Sequence, residues 1–512
     1  MKIEGFNAFR FWLKPAGQQI SFWFVACTLV LASVFLIACG GGGSTDNGSG
    51  EVQIGLTDAK GDFASYTVDV ISLTLTKQNG QVVETLPLNT RVDFAQYTDL
   101  TEFLTAATVP AGVYVKGTMR LDYSNADIWV EDVSGSAVKV TTILDENGND
   151  VSELQVSVNL VDRNRLLIAP GIPAHLTLDF DLKTSNTVVF DANEVPIITV
   201  VPRLVAEVSA DAPKKHRVRG PLKEVNVTEN TFNIFMRPFR HRMTNSVRHF
   251  GVLKIHSIDK TAYEINGETY TGGEGLAELA LQAKLTGIIA IGDIKFNPRR
   301  FVAREVYAGS SVPSGEMDVV RGSVTARTGN ILTVHGGTLI RADGTASFRE
   351  NITITLDEST KVTKQLSAGL FSINDISVGQ RITVFGSATV DDQSDVTLSA
   401  ENGHARMHLS VVRGSVLGLV FTPEQPPEYP FVLNVSSING RNVLLYNFAG
   451  TGIDMNNDAK ADFYEINTGN LDVSGITVES RVAVGGFVTP FGSSPADFDA
   501  QTIVSLPLGL ND

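Results

Sequence analysis

"ELQVSVNL" (Glu153–Leu160) and "HLTLDFDLK" (His175–Lys183) decide the fold class. In the first, Leu154, Val156, Val158 and Leu160 alternate with Gln155, Ser157 and Asn159; in the second, Leu176, Leu178, Phe180 and Leu182 alternate with Thr177, Asp179 and Asp181. A period of two is that of a half-buried strand, with one face apolar toward a core and the other polar toward water. Asn79-Gly80, Asn147-Gly148 and Asp343-Gly344 separate such runs with residues that enter hairpin turns at little steric cost. The chain beyond Glu51 is therefore expected to be all-β.

The second half repeats itself. "VRGPL" at 218, "VRGSV" at 320 and "VRGSV" at 412 are 102 and 92 residues apart. Each is followed by an apolar alternation closing on glycine, "IIAIG" at 288, "RITVFG" at 381 and "RVAVGG" at 481, and then by "FVAREV", "LSAENG" and "FDAQTI". Units over 216–312, 317–408 and 411–512 follow from these spacings. The first carries a basic insertion and the third a proline-rich one, "TPEQPPEYP". A short helical segment, clearest in "EGLAELALQAKL" (274–285), separates early strands from late ones, the layout of a small OB-like barrel. These units resemble the uncharacterised bacterial domain of unknown function numbered 5666.

Residues 51–210 form an earlier unit, closed by the polar stretch "DAPKKHRVRG". Within it "GLTDAKGDFASYTVDVISLTLT" (55–76), "VPAGVYVKGTMRLDYSNA" (109–126) and "LTLDFDL" (176–182) resemble the bacterial lipoprotein domain of unknown function numbered 4382. That resemblance implies a β-sandwich and supplies no catalytic residues. The expected architecture is thus one sandwich-like domain followed by three OB-like barrels.

The N-terminus gives an address. Lys2, Arg10 and Lys14 precede an apolar stretch from Ser21 to Ala38, and Leu36-Ile37-Ala38-Cys39 resembles the lipobox of bacterial lipoproteins. The resemblance implies cleavage before Cys39, its lipidation, and a mature chain tethered by the Gly/Ser-rich stretch 40–50. An uncleaved transmembrane anchor is the alternative, since 18 residues of helix span about 27 Å. Two or more acyl chains are needed for stable anchoring. Gly40, where a retention signal would place Asp, favours the outer membrane, with the body facing the periplasm or the cell surface. The second cysteine, Cys27, lies inside the signal, so cysteine chemistry is excluded from the mature protein.

The chain carries a net charge of −15, which disfavours nucleic acid as a partner. Against this background ten Lys/Arg fall between Lys214 and Lys254, opposed only by Glu224 and Glu229. Arg237, Arg240, Arg242 and Arg248 are candidates for an anion-binding face, with an anionic glycan or an envelope protein as partner. A solvated hairpin, or a surface that meets an acidic neighbouring domain, are the alternatives.

"DMNNDAKADFYE" places Asp454, Asn456, Asp458, Lys460, Asp462 and Glu465 at the alternating positions of a calcium loop, Lys460 through its carbonyl. Ala459 stands where glycine usually makes the sharp turn, so calcium is a candidate cofactor with an Asx-rich loop as the alternative. Ser257 and Lys260 have acyl-transferase spacing but no helix to present them. His404 and His408 in "GHARMH" are expected in a solvent-exposed interdomain strand or linker, and His175 in a structural role. Trp129 is the one tryptophan after the signal, in a context that suits core as well as a glycan platform. The sequence thus points to a non-enzymatic, lipid-anchored binding or structural protein. An adhesin or glycan binder, or a polymer hydrolase whose paired carboxylates meet only in space, are the alternatives.

Overall fold

A computed structural model describes residues 48–58, 63–98, 100–161, 165–208, 214–237, 250–296, 298–313, 317–419 and 431–506. Cys39, Arg240, Arg242, Arg248 and the proline-rich insertion lie outside them. Strands dominate, and the three Asn/Asp-Gly pairs sit at turns: Gly80, Gly148 and Gly344 take φ of +87°, +81° and +86°. The all-β expectation is met.

The N-terminal domain is a sandwich. One sheet orders Leu204–Glu207, Ala174–Phe180, Ser49–Thr57 and Leu100–Pro110. The other is built on the long antiparallel pair Phe63–Lys77 and Gly112–Glu131, flanked by Glu153–Asn159, Thr90–Asp93 and Leu166–Ile168. Val52, Ile54, Leu56, Val68, Val70, Leu121, Leu176, Leu178 and Phe180 are fully buried in its core. The strand Glu153–Asn159 keeps a polar face exposed, as its alternation predicts. Ala174–Phe180 does not: His175 and Thr177 on its polar face are buried too, because the next domain covers that face.

Each repeat closes into a five-stranded barrel with strand order first-second-third-fifth-fourth-first. In the first barrel these strands are Lys215–Asn226, Thr231–Phe235, Val252–His256, Arg300–Ala308 and Gly287–Lys295. In the second they are Asp318–Ser323, Ile331–Ile340, Ala346–Thr355, Val396–His408 and Arg381–Val390. In the third they are Ser410–Leu419, Phe431–Ile438, Tyr464–Asn467, Phe498–Ser505 and Arg481–Val488. The connection before the fourth strand holds the helix Gly272–Leu281 in the first barrel, a 3-10 turn Ile373–Asp375 in the second, and turns in the third.

The repeated motifs are closure devices. In each Val-Arg-Gly triplet the valine (Val218, Val320, Val412) is fully buried in its barrel. The glycine lies where the first strand bends from one neighbour to the other: a Cβ on Gly220 would sit 1.8 Å from the Phe235 carbonyl oxygen, and one on Gly414 2.2 Å from that of Asn434. The glycine ending the fourth-strand motif serves the opposite corner. Cβ atoms on Gly292, Gly386 and Gly486 would stand 2.0, 2.1 and 2.0 Å from carbonyl oxygens of the fifth strand. All three coincide with a shift of register, the bulge that lets a short sheet curl shut.

The polar stretch near residue 214 does not separate the first two domains. The strand beginning at Lys215 pairs in parallel with Leu100–Pro110, so the sandwich sheet runs on into the first barrel and one apolar core fills both. A second core is shared by the second and third barrels.

Candidate functional site

The calcium-type loop is fully described, and two of its carboxylates, Asp454 and Asp458, are engaged with its own backbone. Asp454 Oδ1 accepts from the Asn456 and Asn457 amides at 2.8 and 3.2 Å, and Asp458 Oδ1 accepts from the Gly452 amide at 2.9 Å. Glu465 lies in the strand Tyr464–Asn467, where its amide donates to Asp497 Oδ2 at 2.8 Å. Lys460 bridges to Phe463, and Asp462 is in the turn between them. Ala459 does not take a positive φ; it is buried and donates its amide to Thr451 Oγ1. Among the described residues no group of three or more His, Cys, Asp or Glu is placed to hold a metal ion.

The basic segment divides. Arg237 is 8% exposed, so it belongs to the interior and not to an anion-binding face open to solvent. Arg217 and Arg219 turn toward the sandwich, where both Nε groups donate to the fully buried carboxylate of Glu102, Arg219 at 2.7 Å. Lys214 Nζ donates to Thr57 Oγ1 at 2.9 Å, and Lys215 faces Glu305 at 3.6 Å. Arg217 and Arg219 thus meet an acidic group of the neighbouring domain, one of the alternatives the composition allowed, whereas Lys215 faces a carboxylate of its own barrel.

The histidines expected in an exposed linker are instead part of a junction. His404, 6% exposed, lies in the long fifth strand Val396–His408 of the second barrel and stacks on Phe385 with centroids 5.3 Å apart. Adjacent strands of the outer wall place Arg321, Thr383 and Arg406 in one row. Arg406 crosses to the first barrel: Nε donates to Glu264 Oε2 at 2.8 Å, Nη2 donates to Glu264 Oε1 and to the Ser311 carbonyl, and the guanidinium lies 3.9 Å from the centroid of the Tyr307 ring. Thr363 Oγ1 donates to Glu264 Oε2 at 2.8 Å.

Burial alone would raise the Glu264 carboxyl, but the Arg406 guanidinium outweighs it and holds the group down at about 2. The opposite balance governs His404. Its Nε2 stands 3.3 Å from Glu264, the distance of an ion pair, yet desolvation dominates and lowers the ring to about 4. It is therefore neutral at pH 7. Glu102 is likewise held ionised against burial by Arg217 and Arg219.

A further pin joins three domains. Arg441 of the third barrel pairs with Glu131 of the sandwich and donates to the carbonyls of Gly135, His335 and Gly336 at 3.2 to 3.3 Å. Trp129 packs at the same junction. Its ring meets Phe348 of the second barrel at 5.2 Å between centroids, and its Nε1 donates to Asp127, so it is not an open glycan platform. Ser257 is buried and accepts from Tyr263 Oη at 2.6 Å; no helix presents it with Lys260. His175 is buried beside Thr177 and His216. Sequence reading missed the set Glu102, Glu264, Arg321 and Arg406, although the alternation His404, Arg406, His408 against Ala405 and Met407 marks one charged outer face.

Residues 49–197 match the family model described as Domain of unknown function (DUF4382). No curated protein matches the sequence. A crystal structure of a protein from Parabacteroides distasonis, proposed to be a cell adhesion protein, aligns over 70% of this chain and 99% of its own at 11% identity. Its TM-score is 0.15.

Proposed function

We propose that the chain is a lipid-anchored, non-enzymatic binding or spacing module of the bacterial envelope, held through Cys39 at the outer membrane. The observation that carries the reading is the welding of four β-domains by ion pairs drawn out of open solvent: Glu102 with Arg217 and Arg219 and Glu264 with Arg406, whose carboxylates are buried, and the half-buried Glu131 with Arg441. Beads on flexible linkers would not need such pins, because exposed pairs add little stability and buried ones tolerate only one geometry. A rigid body behind a Gly/Ser-rich tether suits presentation of a fixed surface to a partner. The kinship of the three barrels to the domain numbered 5666 belongs to the same reading, as does an envelope protein or anionic glycan as the partner.

The test is metabolic labelling with a fatty acid, comparing the natural chain with Cys39→Ser, combined with protease shaving of intact and permeabilised cells. Label on the natural chain alone, with loss of membrane retention in Cys39→Ser, is the expected result. Membrane retention of an unlabelled Cys39→Ser chain would overturn the anchor. Digestion in intact cells would direct the partner search to surface glycans, and protection would direct it to periplasmic proteins.

A further inference from the structure

The barrel architecture accounts for two residues of each Val-Arg-Gly triplet, the valine as core and the glycine as corner. It does not account for the arginine. In the first barrel that residue, Arg219, is bound to Glu102. In the second it is Arg321, which points outward into the junction of the sandwich, the first barrel and the second. Arg321 is half-buried, and among the described residues its guanidinium has no hydrogen bond and no ion pair.

The groups around Arg321 are themselves cationic. Burial lowers it well below the ordinary arginine range, and the charges of Arg217, Arg219 and Arg406 lower it further, against the opposing charge of Glu102. Glu102 is already shared by Arg217 and Arg219, and Glu264 is taken by Arg406. With the Lys215–Glu305 pair that lies beside Arg406 included, five cations thus meet three carboxylates, leaving an excess of two positive charges. Arg217 adds a second unsatisfied donor, since its buried Nη2 has no hydrogen-bond partner among the described residues. Thr383, between Arg321 and Arg406 in the row, bonds His408 Nε2 at 2.8 Å and adds no negative charge. An arginine stays protonated in proteins, so such a cluster is stabilised by a counter-anion and not by losing protons.

We propose that this junction binds a small dianionic oxyanion, phosphate or sulfate, gripped by Arg321 and by the free Nη2 of Arg217. The planar fork of a guanidinium matches two oxygens of such a group, and two opposing forks match a tetrahedral anion. Half-burial leaves Arg321 reachable by a small anion. The group arrives either free or as the terminal monoester of a larger ligand.

The test uses the full chain in detergent and chloride-free buffer, titrated calorimetrically with inorganic phosphate, inorganic sulfate and glycerol phosphate. One saturable site per chain is expected, with Arg321→Met weakening it at least tenfold and Arg413→Met, the same triplet position in the third barrel, leaving it within twofold. Arg321→Met is also expected to raise the unfolding temperature without oxyanion and to lose the rise that phosphate gives the natural chain. Tenfold tighter binding of glycerol phosphate than of phosphate assigns the group to an ester ligand, and equal binding assigns it to the free anion. No saturable binding by the natural chain, or equal binding by Arg321→Met, would overturn the proposal. Should Arg321→Met fail to fold, phenylglyoxal labelling of the natural chain decides: phosphate must protect the peptide containing Arg321, and unchanged labelling overturns the site.

Discussion

Acid should loosen this protein well before its carboxylates are neutralised. His175, His216 and His404 are each at most 6% exposed, and burial lowers them to about 3, about 4 and about 4 from an ordinary 6.5. A histidine with a depressed folded pKa contributes stability that is present above the unfolded pKa and lost as pH falls toward the folded one. At pH 5 the unfolded chain gains about 1.5 pH units of proton binding per histidine, or about 2 kcal/mol each and about 6 kcal/mol for three. Asp497 works the other way: burial raises it to about 6, so it returns roughly 1.4 kcal/mol over the same interval. These four groups together give a net loss of about 5 kcal/mol between pH 8 and pH 5, to which His408, also lowered well below its ordinary value by burial, adds in the same direction; the total is comparable with the whole stability of many domains. Urea unfolding followed by Trp129, whose ring lies on Phe348 across a domain junction, measures it. His216→Phe isolates one contribution, because neither ring nitrogen of His216 has a hydrogen-bond partner and the ring already packs on Phe103. That variant should be at least as stable at pH 7 and should lose about 2 kcal/mol less at pH 5. Stability flat to within about 1 kcal/mol between pH 8 and 5, or an unchanged loss in His216→Phe, would refute the reasoning.

Three other outcomes are expected. Glu264→Gln strands the Arg406 charge and should cost about 3–5 kcal/mol in urea unfolding, whereas Glu264→Leu combined with Arg406→Met should recover much of it; a loss below about 1 kcal/mol would show that the pair is solvated. Gly386→Val drives a Cβ to 2.1 Å from the Ser399 carbonyl oxygen and should lower stability by at least about 2–3 kcal/mol, while the same change at Gly148, with nothing within 4 Å, is limited to the strain of its φ of +81°. For the 454–465 loop, no three acidic groups converge on one point among the described residues, so calcium up to about 1 mM, the weak extracellular range, should leave the unfolding temperature unchanged; a saturable rise abolished by Asp458→Asn would contradict this.

What the sequence shows plainly is whatever depends on neighbours along the chain. Alternation identifies strands, Asn-Gly and Asp-Gly identify turns, and the spaced glycines mark a repeat, because each is a local backbone requirement that recurs; that those glycines are barrel corners is seen only once the strands close. The burial of the second face of Ala174–Phe180 is of another kind: Thr177 reads as solvent-facing until the first barrel covers it. Charged side chains carry the same ambiguity more strongly. Arg406 and Glu264 are 142 residues apart, and nothing in "GHARMH" distinguishes a solvated outer face from one pressed against another barrel. Their meeting depends on the angle at which two closed barrels dock, which no periodicity encodes. The triplet arginine shows what can still be recovered. Where the fold explains Val320 and Gly322 by packing and leaves Arg321 unexplained, the remainder points to a contact outside the barrel. At this junction that contact is made among cations, which is why an anion is the missing partner.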